Sequence, residues 1–144
     1  MASEVTLGEL DSILGLRIRR AHGAVQRHFT DHFAELGLTQ KQVSVLWLAG
    51  NHPGLAQTDL ARALDTDRAT TMALVHGLEK RGLLARTASS QPDRRRIAFQ
   101  LTADGARLLE RSRAAIAAHE AWLAARFTSD ELVQLHALLA RIYR

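Results

Sequence analysis

The chain has 144 residues, 47% of them hydrophobic, with only 2 Pro and no Cys; this suits one domain with a real core and excludes disordered or fibrous chains, disulfides and thiol chemistry. The net charge is +4, and from Gln57 to Arg96 eight basic residues stand against five acidic ones, a local excess of the kind that suits a phosphate backbone. No apolar run approaches the ~20 residues that span a bilayer, and no basic region followed by an apolar stretch opens the chain, so a soluble, cytoplasmic protein is expected.

From Leu7 to Leu36, Leu7, Leu10, Leu14, Ile18, Ala21, Val25, Phe29, Phe33 and Leu36 recur in steps of three and four. This predicts one long helix with a single apolar stripe, longer than a compact domain needs. Gly37 ends it. Thr39 with Gln42 three residues on forms a capping box for a second helix carrying Val43, Leu46 and Trp47. Gly50-Asn51-His52-Pro53-Gly54 stops that helix, and Leu55 to Leu64 reads as a short third one. After the break at Asp65-Thr66-Asp67, Thr66 is the expected N-cap of a fourth helix running to Arg81. Leu74, Val75 and Leu78 point inward, and Gly82 stands just past its end.

Leu83–Thr87 and Arg96–Leu101 then flank a polar connection rich in Arg, which reads as a β-hairpin with a long basic tip. Thr102 caps a fifth helix with a Leu109, Ile116, Leu123 stripe. Thr128 and Glu131 form a capping box for a terminal helix with Leu132, Leu135, Leu139 and Ile142 on one side. The expected fold is mainly α with a small β-hairpin wing.

A short helix, a tight break, a second helix and a basic hairpin form a DNA-reading arrangement, because the second helix fits the major groove and the hairpin lies beside it. The stretch LDTDRATTMALVHGLEKRGLLARTASSQPDRRRIAFQLTADG resembles the core of the MarR family of winged-helix regulators. The match is carried by LEKRGLL closing the recognition helix, Asp93 and Arg95 at the wing, and LTADG opening the next helix. Nearly the whole chain fits the resemblance. It implies a winged helix-turn-helix lobe over residues 39–101, with residues 1–36 and 102–144 forming a helical dimerisation region of the same single domain.

The resemblance makes Arg95 a wing-tip arginine directed at the minor groove, held by Asp93 beside Arg94 and Arg96. A merely charged, soluble hairpin tip is the alternative reading. The outward positions of the recognition helix are Arg68, Thr70, Met72, Ala73, His76 and Lys80, with Thr71 included among the candidate contacts. Ala73 stands where the family commonly has a long polar residue, and Met72 where a threonine is common. Base reading then falls to Arg68, Thr70 and apolar contact with thymine methyls. Gln57 and Thr58 are candidate phosphate contacts at the start of the supporting helix, with a capping pair as the alternative. Lys80, Arg81 and Arg86 are either backbone contacts or, by default, solvated charges.

Seven histidines fall in no metalloenzyme motif. His28 and His32 share a helix face, and His119 lies on the fifth-helix stripe. Such histidines serve as packed core or interface groups, as walls of a small-molecule pocket, or as metal ligands. The resemblance implies a pocket for aromatic acids or acyl-CoA thioesters where the dimerisation helices meet the lobe, with His22, His28, His32, Trp47 and His119 as candidate contacts. No metal site, cofactor or catalytic constellation is assigned, so an enzyme is not expected. The expected function is a homodimeric repressor that a small ligand releases from a palindromic double-stranded operator. Zinc-responsive or ligand-independent DNA binding is the alternative.

Overall fold

The computed structural model describes residues 4–88 and 97–144. The first stripe is not one helix. A 3-10 turn over Gly8–Ser12 is followed by an extended Ile13 (φ −78°, ψ 116°), and only then does α1 run from Leu14–Phe33, with a second 3-10 turn at Ala34–Leu36. Side-chain bonding explains the break. The Ser12 hydroxyl donates to the Glu9 carbonyl at 2.7 Å, and the Asp11 carbonyl and carboxylate turn back onto Arg17 and Arg20 of α1. Local bonding of this kind competes with the helical ladder.

Gly37 takes φ +61° at the end of this segment, and the Arg81 guanidinium donates to the Leu36 and Gly37 carbonyls at 3.3 and 2.7 Å. One side chain thus closes the orphan carbonyls of the first helical segment from a distance of more than forty residues. The capping box of Thr39 and Gln42 opens α2 (Gln40–Asn51), with both reciprocal bonds present.

Two expectations around the end of α2 need correction. Gly50 does not stop the helix but lies within it, because a Cβ there would sit 2.6 Å from Leu109 of α5. Leu55–Ala56 is not helical either. It forms a short strand, β1, paired antiparallel with Ala98 and Phe99, and α3 (Gln57–Ala63) starts directly after it. Two residues give no readable alternation, so the pairing with a distant strand is what selects the extended state.

The helix-turn-helix follows. α3 ends with Asp65 at φ +51°, where the Thr66 and Asp65 amides donate back to Ala61 and Arg62. The N-cap of α4 (Arg68–Lys80) is Asp67, not Thr66: its carboxylate accepts from the Thr70 amide at 2.7 Å. Thr66 instead bonds Thr71 across the turn at 2.9 Å. Gly82 (φ +72°) ends α4, and β2 (Leu84–Thr87) pairs with β3 (Ala98–Leu101), giving sheet order β1-β3-β2. The expected hairpin is therefore two strands of a three-stranded sheet, and its tip lies outside the described residues.

Thr102 caps α5 (Ala103–Ala124) through the Gly105 amide, and its hydroxyl donates to the Gly82 carbonyl at 2.6 Å. A capping box of Thr128 and Glu131 opens α6 (Ser129–Tyr143). One core joins Phe29 and Phe33 of α1, Val43, Val45 and Leu46 of α2, Leu60, Val75 and Leu78 of the helix-turn-helix, Phe99 of the sheet and Leu109 of α5. α6 buries no residue, and Val133, Leu138, Ile142 and Tyr143 are exposed, as are Ile13, Leu14 and Ile18 near the start of α1.

A Cβ on Gly105 would lie 2.1 Å from the Leu83 carbonyl oxygen, a backbone atom that cannot move aside alone. Gly105→Ala is expected to cost about 1–3 kcal/mol by overpacking. Urea unfolding measures this; an unchanged midpoint would mean that α5 slides freely on the β2 turn.

Candidate nucleic-acid interface and effector region

The recognition helix α4 is positioned from both ends. Asp67 holds its first turn, accepting from both the Thr70 amide and the Thr70 hydroxyl, at 2.7 and 2.8 Å. These bonds hold the Asp67 carboxyl below the usual carboxylate range, the Thr70 amide contributing most. Val75 and Leu78 anchor the inner face in the core. Outward stand Arg68, Met72, Ala73, His76 and Lys80, all exposed, with Thr70 half-buried. Arg68 has no hydrogen bond or ion pair among the described residues, which leaves its guanidinium available at the N-terminal end of the helix.

Two candidate contacts are corrected by burial. Thr71 is 0% exposed, and its hydroxyl is spent on the Asp67 carbonyl and Thr66. It stabilises the turn and presents nothing to DNA. Gln57 is also buried, at 5% exposure, so it is not an open surface contact. Its Nε2 nevertheless has no hydrogen-bond partner among the described residues. With Arg68, Ala69, Met72 and Ile97 it lines a shallow recess of about 340 Å³ between α3, α4 and β3. Thr58 is exposed beside it.

Arg86 pairs with Glu79 at 3.4 Å, bracing the sheet against α4 while staying largely exposed. Asp93, Arg94, Arg95 and Arg96 lie outside the described residues. Arg81 is the residue the sequence concealed: its charge looked like surface, but it bonds the carbonyls that end the first helical segment.

The effector candidates divide. His28, His32 and His119 come together where α1 crosses α5. The His28 ring stacks between His32 and Trp122, both at 3.8 Å, and Arg126 covers the far face of Trp122 at 3.9 Å. His28 Nδ1 lies 2.7 Å from His119 Nδ1, so one imidazole donates to the lone pair of the other and the contact admits a single proton. Burial first, then the neighbouring His32, His119 and Arg126, lowers the His28 pKa, against a weaker opposing effect of Asp31. Trp122 belongs to this stack and was missed because a single Trp on a helix carries no spacing signal.

His22 is exposed on α1, and Trp47 sits under Arg113 at 5.0 Å, so neither joins the cluster. Among the described residues no group of three or more His, Asp or Glu is arranged to hold a metal ion. A separate cleft of about 310 Å³ opens between α1 and the start of α2, walled by Phe29 and Phe33 and rimmed by Gln26, Thr30 and Thr39. Phe29 touches His119 edge-on at 5.7 Å, so cleft and cluster share a wall. No helix of the described residues is long and apolar enough to cross a membrane.

The family model described as MarR family matches residues 36–96. The chain is 34% identical over 143 residues to a Thauera aromatica protein assigned as the transcriptional regulatory protein for the hcr operon, covering 99% of this chain and 86% of that one. Among solved structures it is similar to the transcriptional repressor CouR bound to a 23-mer DNA duplex, with a TM-score of 0.89 and 37% identity over 99% of this chain and 100% of that one. CouR bound to p-coumaroyl-CoA gives 0.86 and 34%, over 98% and 99% of the two chains.

The Asp67 cap gives a prediction with a defined sign. Its carboxyl has a lower pKa folded than unfolded, so its stabilisation is present above the unfolded carboxylate range and is lost as pH falls through the folded value. Asp67→Ala is expected to lower the melting temperature at neutral pH and to flatten the acid limb of the stability profile. Asp67→Asn, which still caps, should keep more of the neutral-pH stability. Identical profiles for the wild type and Asp67→Ala would show that the cap contributes nothing.

Proposed function

The chain belongs to the MarR family of transcriptional regulators, and on that footing we propose that it is a homodimeric repressor that a small ligand releases from a palindromic operator. The observation that carries this reading is α4 itself, a helix fixed by cap and core whose outward face is set beside a sheet leading to the Arg-rich tip. Base reading falls to Arg68, Thr70, Met72, Ala73 and His76. Lys80, Arg86 and Thr58 serve the phosphate backbone, and Asp93, Arg94, Arg95 and Arg96 are the proposed wing contacts.

Residues 39–101 act as the DNA-binding lobe and residues 1–36 and 102–144 as the dimerisation region. The unburied faces of α6 and of the first helical segment support this, since an apolar surface of that extent is normally covered. An obligate interface of this kind buries on the order of 2,000 Å² or more. The effector is an aromatic acid or acyl thioester whose ring enters the Phe29–Phe33 cleft, next to the His28–His119 contact. Both belong to the joint between α1, α2 and α5. A ligand there acts on DNA only by preferring the arrangement that fits the operator less well, so operator and ligand must weaken each other equally.

Selection from a random duplex pool, followed by titration of the enriched site, tests the reading. Half-sites about 10 bp apart are expected from a two-fold dimer. Arg68→Ala should cost on the order of 1–3 kcal/mol per half-site and relax preference at one base position. A loss equal on operator and scrambled DNA would reduce Arg68 to a positioning contact. A folded monomer at low micromolar concentration in sedimentation would defeat the dimer.

A further inference from the structure

The crossing of α1 and α5 is held by a contact whose strength depends on how many protons it carries. His28 Nδ1 and His119 Nδ1 stand 2.7 Å apart, so one nitrogen donates and the other accepts. A second proton would set two N–H groups against each other at that distance. His119 is buried at 5% exposure with Phe29 edge-on to it, whereas His28 is half-buried. The ring with a way out is His28. Trp122 covers one of its faces and His32 the other, and His32 is itself tied down, its Nδ1 donating to the His28 carbonyl at 2.9 Å.

Two aliphatic side chains would fill a helix crossing with no polar group to satisfy. An imidazole pair instead makes the crossing answer to pH in the range where histidine titrates. The charged and titratable groups facing His28 are Asp31 and His32 of its own helix, His119 of α5 and Arg126 just past the end of α5. Burial, then His32, His119 and Arg126, lower its pKa, and Asp31 opposes them. The closed joint thus takes up its proton below the range of a free imidazole, and acidification through that range favours arrangements in which His28 is open to water. The joint also has leverage. The residue after His28, Phe29, enters the core of the lobe, and α5 pins the end of the recognition helix through Thr102 and Gly105. Moving His28 away from His119 moves α1 against the helix that sets α4.

We propose that the His28–His119 contact is a proton-operated joint: a second proton expels His28, loosens α1 from α5 and lowers affinity for the operator. The joint itself stands on the geometry of α1 and α5, and its effect on DNA rests on the repressor reading above. His76, exposed on the outward face of α4, acts in the opposite sense, since a proton there adds positive charge toward the phosphates.

The chain has two Trp, so in a Trp47→Phe background the emission of Trp122 reports the ring stacked on it. Emission is followed in the full chain from about pH 8 to about pH 5, and affinity for the selected operator is measured over the same range. Trp122 emission should change in one step centred below the free-imidazole value. His28→Gln and His119→Gln, which remove the contact from either side, should each abolish that step. His32→Gln, which keeps the contact and removes a neighbouring charge, should keep the step and move it upward. Relative to His28→Gln, in which His76 acts equally, the wild type should lose at least about fivefold in operator affinity across the step. No Trp122 step, a step that survives His28→Gln, or parallel operator profiles in the two proteins overturns the proposal. A chain that selects no duplex defeats the repressor reading, and the Trp122 titrations then decide the joint on their own.

Discussion

The arrangement depends on one crowded contact, the place where α5 starts against the turn that ends α4. The Gly105 Cα stands where even a methyl group would strike the Leu83 carbonyl, and the Thr102 hydroxyl accepts from the Gly105 amide while donating to the Gly82 carbonyl. The Thr102 amide donates to the Leu83 carbonyl at 3.1 Å. Four segments meet there: the end of the recognition helix through Gly82, the residue before β2 through Leu83, β3 through its last residue, and α5. A helix meant to read DNA at a fixed angle must be referred to something rigid, and here the reference is a chain of short bonds into the longest helix. Gly50 repeats the device lower down, bringing α2 against Leu109 of α5.

Much of this was legible from local chemistry. The capping boxes at Thr39 and Thr128, the Thr102 cap and the left-handed glycines at 37 and 82 are written in adjacent residues, and the structure has each of them. What failed depended on distant partners. Leu55–Ala56 is a strand only because Ala98 and Phe99 lie beside it, and Gly50 is a packing glycine only because Leu109 arrives there. Asp67 displaced Thr66 as cap because Thr66 had a better use in bonding Thr71. The same contact removed Thr71 from the DNA-facing set: at the turn of a helix-turn-helix, one face holds the geometry and cannot also touch bases.

The candidate sites follow the same division. Exposure of Arg68, Met72, Ala73, His76 and Lys80 followed from helical periodicity alone. The histidine cluster did not, since three histidines and Trp122 are drawn together by the crossing of α1 and α5, which no sequence spacing encodes. That crossing makes α1 the common element of the account. One side of it stacks on α5, its C-terminal end enters the core of the lobe, and its arginine face is left to solvent. A ligand in the Phe29–Phe33 cleft would press on the element that joins both regions, which is what coupling between a ligand and DNA requires.

In the proposed repressor, two copies of this chain hold their recognition helices one DNA turn apart. Because the chain has no Cys, a spin label at Ala63→Cys, an exposed α3 position outside the proposed DNA contacts, reports that spacing without background sites. On the selected operator, pulsed dipolar spectroscopy should give one narrow intermolecular distance, the one expected with recognition helices on the order of 34 Å apart. Absence of intermolecular coupling, or a distance that fits no single turn of the duplex, would contradict it.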